Sequence, residues 1–218
     1  MRLNPFVPAA VILCMAAPAV AQEWVEYSSR QDLFTVNFPV QPAVRDVTYA
    51  TEFGITLPAR VYTAENRSGR YAVTVVDYTV AERIHTERAK GCQGYPDTCT
   101  NRTNNDLRGA LDYAVSPFLQ RDAKVTYYAF ADTDRVEGRR IQLANADRSR
   151  TFVAIYMHDN RLYILEGTVP PDLPPPAQFQ QSLGFFDADG ERVRYRTLYR
   201  NGLPPPPREQ TRGRFGGC

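Results

Sequence analysis

Metal ligands, nucleophiles and proton carriers are scarce in this chain, which has two histidines and four cysteines among its 218 residues. They gather once, as His85-x6-Cys92-x6-Cys99. Zinc and copper sites pair ligands about two to four residues apart or at helical spacing. Gaps of six match neither pattern, and the fourth member of a metal or redox set would have to be the distant Cys218. A cysteine nucleophile would need Cys92 or Cys99 free as a low-pKa thiolate beside a histidine. The residues between them, Gln93-Gly-Tyr-Pro-Asp-Thr98, are turn-formers. In an oxidising compartment Cys92 and Cys99 are expected to close a short disulfide, contributing roughly 2–3 kcal/mol. That pairing leaves Cys218 free or paired between chains, and it removes both the thiolate and the metal set.

The carboxylates offer a second route to chemistry. Asp77 and Glu166 sit in apolar stretches, and two acids meeting only in the fold would make a hydrolase. Edge or solvent-facing positions explain them equally well. Asp187-Ala-Asp-Gly-Glu191 resembles part of a calcium loop, but Arg192-Val-Arg-Tyr195 follows where further ligands belong, so a β-turn is expected. Asp132-Thr-Asp134 is likewise expected as a turn. No nucleophile elbow, S-x-x-K, H-E-x-x-H or phosphate-cradling glycine loop occurs. His158, beside the turn pair Asp159-Asn160, is expected as a solvated histidine at a hairpin end. Asn66-Arg-Ser68 and Asn101-Arg-Thr103 fit the N-glycosylation pattern. No catalytic, metal or cofactor residues emerge.

The elements that would position these residues follow an apparent leader. Residues 1–21 carry Arg2, an apolar run broken by Pro8 and Pro18, and Ala19-Val20-Ala21, the small-x-small pattern that signal peptidase cuts. The run is shorter than the ~20 clean residues of a membrane span. Leu13 occupies the place where a lipidated Cys14 would need a small residue. Cleavage near Ala21 would leave about 196 residues, enough for one domain with a real core, in the periplasm or outside the cell. Short Ala-rich leaders and an Arg-rich chain whose only lysines are Lys90 and Lys124 read as bacterial. With 26 basic and 24 acidic residues, the chain is not built for nucleic acid.

Alternation predicts strands at 24–27, 34–38, 47–53, 57–64, 71–78, 125–131, 139–144, 152–157, 162–169 and 192–196. Tyr71 to Tyr78 is apolar on both faces and reads as an interior strand. Leu107, Leu111, Val115 and Phe118 trace one face of a helix capped by Asn104 or Asn105, with Asp106 at its positive end. Pro117 should kink it or restart it one turn before its end. A short helix over 177–183, docked by Phe179, Leu183 and Phe186, stops at Gly184. The body, 22–200, is therefore one α+β domain. Residues 201–218 form a Pro/Arg/Gly-rich tail. Its Arg208, Arg212 and Arg214 with Phe215 would attract an anionic surface only weakly at physiological salt.

The segment Tyr27-Ser-Ser-Arg-Gln-Asp-Leu-Phe-Thr-Val-Asn-Phe-Pro-Val-Gln-Pro42 resembles the opening of PsbP-like proteins, where an aromatic strand ends in F-P-x-x-P. The likeness continues through 71–78, the following helix and the closing 179–186 segment. It implies an antiparallel sheet flanked by helices, an α/β/α sandwich. It also implies an extrinsic or periplasmic accessory module without a shared catalytic site. The Cys92–Cys99 loop and the arginine tail lie outside that pattern. The reading that results is a secreted, non-enzymatic module binding a protein or envelope-surface partner. A carboxylate hydrolase and a His/Cys metal or redox protein are the alternatives.

Overall fold

The computed structural model describes residues 24–95 and 99–209. The leader, Arg212, Arg214, Phe215 and Cys218 lie outside them. The described chain is an α+β fold of two antiparallel sheets. A small one has the order β1 (Val25–Ser29), β2 (Phe34–Phe38), β10 (Gly184–Phe186), β11 (Arg192–Val193). The large one runs β3 (Ala43–Ala50), β4 (Thr56–Asn66), β5 (Gly69–Asp77), β9 (Arg161–Val169), β8 (Arg150–His158), β7 (Val136–Asn145), β6 (Ala123–Thr133).

Every position of β8 after Arg150 is buried. Phe152, Ala154 and Tyr156 point into one core; Val153, Ile155 and Met157 point into the other. Such a continuous apolar run belongs to a strand covered on both sides. On one face lie α1 (Ala81–Lys90) and α2 (Thr103–Leu119), with Leu111, Val115 and Phe118 buried against Ile141, Leu143 and Ile155. Ala110 and Ala114, also buried, let α2 approach closely. The other face is covered by the small sheet and α3 (Ala177–Gln180). There Phe34, Phe38, Tyr62, Tyr71, Tyr163, Phe179 and Phe185 form an aromatic core with ring centroids of neighbouring pairs 5.0–6.0 Å apart. Edge-to-face and tilted rings at these separations add to the gain from burial. As expected, 71–78 supplies an interior strand, β5, between β4 and β9.

Several boundaries differ from the sequence reading. The expected strand 47–53 is β3 at 43–50, and Phe53 lies in a turn. Helix α2 begins at Thr103, so Asn104 and Asn105 are inside it. The cap comes from Asn101, whose Oδ1 accepts the Thr103 amide at 2.9 Å and the Thr103 hydroxyl at 2.7 Å. Pro117 sits in the last turn and removes one intrahelical donor, yet the helix passes through it to Leu119. The turn expected at Asp132–Asp134 is one residue later. Asp134 and Arg135 both have positive φ, as a two-residue hairpin requires. Helix 177–183 shrinks to four residues, and Phe185 rather than Phe186 fills the core. The expected tail is docked as far as Glu209: Arg196 and Glu209 donate their amides to the carbonyls of Pro207 and Arg194. Arg208 meets Asp187 at 2.6 Å.

His158 is the largest correction. It is 2% exposed, enclosed by Phe185, Tyr195 and Tyr199, with Nε2 sharing a 2.8 Å hydrogen bond with the Tyr195 hydroxyl. Its Nδ1 has no hydrogen-bond partner among the described residues. The docked segment around Tyr195 and Tyr199 encloses it, which local sequence does not reveal. Burial, aided by Arg208 and Arg161 and opposed by Asp159, lowers its pKa from 6.5 to about 4. The unfolded chain therefore binds this proton more readily than the folded one, and stability must fall as pH drops from about 6.5 toward 4. Between pH 7 and pH 4.5, His158→Phe is expected to lose about 2–3 kcal/mol less stability than the parent, read from urea melts at the two pH values.

Candidate functional site

One buried carboxylate organises the helical side. Asp106, in the first turn of α2, is 1% exposed. Its Oδ2 accepts the Thr51 hydroxyl at 2.7 Å and lies 2.7 Å from His85 Nε2; its Oδ1 accepts the Phe53 amide at 3.3 Å. His85, on α1, is also buried. The 51–55 turn closes on itself through Thr51 N–H to Ile55 O at 2.9 Å and Gly54 N–H to Thr51 O at 3.1 Å. One acid thus pins the turn to both helices, and the Asp106 charge is compensated by three donors.

His85 also lines a cleft of 660 Å³ with the 52–54 turn, the end of α1, Cys92, Cys99 and Arg102. Sequence reasoning grouped His85, Cys92 and Cys99 and missed Asp106 as their neighbour. Helix α1 was missed as well. The signals were there in Arg83 and Glu87 at i,i+4 and in a run of good helix formers, but the helix has a thin apolar stripe, with Ala81 and His85 its buried residues. The Cys92 and Cys99 sulfurs lie 2.03 Å apart, at disulfide distance, with Cα atoms 5.5 Å apart. No group of three His, Cys, Asp or Glu residues able to hold a metal occurs among the described residues.

The two acids singled out in the sequence do not face each other. Asp77 caps the turn Tyr78–Val80 by accepting the Thr79 amide at 2.9 Å. It shares a cleft of 320 Å³ with Asp32 and Asp46, where Arg60 pairs with Asp32 at 2.8 Å and Asp46 at 2.9 Å. Tyr62 adds its hydroxyl to Asp32. Glu166 makes a two-point pair with Arg121 at 2.6 and 3.1 Å, tying the end of α2 to β9. The 187–191 segment is a turn, closed by Gly190 N–H to Asp187 O at 2.9 Å, with Gly190 at φ +80°. Both glycosylation-type triplets are built as turns. Asn66 accepts from the Ser68 amide at 2.9 Å as Asn101 does from Thr103, and Asn101 Nδ2 is engaged with Glu82 and Thr86.

A second feature is at the sheet edge. β6 is eleven residues long and pairs only with β7. Val125, Tyr127, Tyr128 and Phe130 are 38–55% exposed. Tyr128 lies opposite Ile141 and Phe130 opposite Arg139, which places both rings on the α2 side. Arg139 caps Phe130 at 5.6 Å while holding Asp112 of α2 at 3.1 Å. Tyr127, opposite Gln142, points to the other face. Among the described residues no helix is long and apolar enough to cross a membrane.

Neither a protein-family model nor a curated protein matches the chain. Among solved structures it is similar to the solution structure of cyanobacterial PsbP (CyanoP) from Synechocystis sp. PCC 6803. The two share 11% identity, with 73% of this chain and 88% of that one covered and a TM-score of 0.38.

Removing the Asp106 carboxylate would strand three donors in the interior. Asp106→Ala is expected to cost about 3 kcal/mol or more, a fall of roughly 6–12 °C in Tm for a domain of this size. Asp46→Ala, which deletes an exposed partner of Arg60, should cost under about 1 kcal/mol in the same melt.

Proposed function

We propose that this protein is an exported, non-catalytic binding module that docks a partner protein along β6. The observation that carries the reading is the row of uncovered aromatic side chains on a long edge strand. An edge strand presents unpaired backbone donors and acceptors, and soluble proteins normally guard it with lysine, proline or a short length. β6 has one lysine, Lys124, at its start, a single bulge between Val125 and Tyr127, no proline, and eleven residues, so most of its length stays open. A partner strand added there would gain main-chain hydrogen bonds, while Tyr128 and Phe130 supply anchors on one face and Tyr127 on the other. The enclosed Asp106–His85 pair supports a structural role, because its acid is spent on holding the 51–55 turn.

Export rests on the leader and on the cysteine pair at bonding distance. Mature protein from the native envelope is expected to begin at or next to Gln22 and to carry Cys92 and Cys99 oxidised; an intact leader with both thiols reduced would overturn export. Reduction should remove roughly 2–3 kcal/mol of stability. For docking, a photo-crosslinking residue at Tyr128 should trap one discrete partner in native cells, and the same residue at exposed Arg148 should not. Phe130→Asp should abolish the adduct at Tyr128. Identical adducts at both positions, or none at Tyr128, would sink the docking surface.

A further inference from the structure

We propose that the cleft between the 51–55 turn, α1 and the start of α2 binds a compact anion, a carboxylate or phosphate group, between Arg88 and Arg102. This goes beyond partner docking and does not rest on it. The two guanidinium groups are positioned by neutral contacts. Arg88 donates from Nη1 to the Phe53 carbonyl at 2.8 Å, and its head packs over Gly54, where an added Cβ would come within 3.1 Å. Gly54 has φ +75°, so the turn that receives Arg88 also demands glycine. Arg102 lies over the Phe53 ring at 5.6 Å. Neither arginine has a carboxylate within ion-pair distance among the described residues, whereas Arg60, Arg121, Arg139 and Arg208 all do. Two cations held in place by a carbonyl and a ring keep both their charge and most of their N–H groups for a third party.

Arg102 opens the seventeen-residue α2, whose Thr103 amide Asn101 already caps and whose first turn holds Asp106, so the positive charge of the site is that of the two guanidinium groups. His85, buried with Nε2 engaged by Asp106, is part of the cleft wall. Among the described residues Glu52 is the one carboxylate lining the cleft, and it is exposed. It opposes an anion and makes the site's electrostatics testable in both directions.

The test is titration of the mature protein with sodium phosphate and, separately, sodium succinate at fixed ionic strength, read by calorimetry or amide chemical shifts. Saturable binding with a Kd of about 1 mM or tighter is expected for one of them, and which one binds identifies the source of the anionic group. Arg88→Gln and Arg102→Gln should each weaken it about tenfold. Glu52→Gln should tighten it, and Arg194→Gln, paired with Asp134 on another surface, should leave it unchanged. Arg102→Gln removes only a ring contact, so it decides the matter even if loss of the Arg88 bond loosens the turn. No saturation with either anion, or an unchanged Kd in Arg102→Gln, would overturn the site.

Discussion

A sheet that is apolar on both faces has to be covered twice, and the architecture follows from that constraint. β8 and β9 put aromatic and branched side chains on each side. Water on either face would forfeit about 25 cal/mol for every square ångström of apolar surface left open. The chain solves the problem asymmetrically. It uses helices where the strands present Val153, Ile155 and Leu162, and a small sheet plus α3 where they present Phe152, Tyr156 and Tyr163. Rings interlock with rings on one side. On the other, the alanines of α2 bring a helix down onto branched residues.

Covering the helical face has a polar consequence. The 51–55 turn and the ends of two helices come together over the sheet, and their amides need partners in a space closed to water. Asp106 accepts the Phe53 amide, and His85 and Thr51 complete its coordination. An isolated charge there would be prohibitive; with three donors it is a staple. The same convergence leaves Arg88 and Arg102 around one cleft, because both are held by the Phe53 turn that Asp106 secures.

The sheet was legible because its signal is local. Strands 34–38, 71–78, 152–157 and 162–169 declare themselves by alternation or by continuous apolar runs, and the Asp159-Asn160 hairpin by its turn residues. What escaped was set by tertiary context. α1 carries so few apolar residues that periodicity is silent. His158 reads as solvated because the residues enclosing it, Tyr195 and Tyr199, lie nearly forty positions away in the chain. Asp106 reads only as an acid at the positive end of the helix, because nothing in 103–119 reports that Thr51, Phe53 and His85 stand over it. The charged and aromatic residues of the two candidate surfaces were all visible as types. Their grouping depends on register and on where α2 ends.

Register also explains why the aromatic edge is left open. α2 lies over β7, β8 and β9, and its Asp112 pairs with Arg139 of β7. β6 is one strand too far for the helix, and a bulge between Val125 and Tyr127 shifts which residues face α2. With that shift Tyr128 and Phe130 fall on the helix side yet stay about half exposed, with Arg139 over the Phe130 ring. Without it, Tyr127 and Ala129 would occupy that side, and one ring would stand there instead of two. A bulge at an edge strand re-aims side chains in this way. Here it concentrates aromatic surface at the edge of the large sheet, with Tyr128 and Phe130 about half exposed.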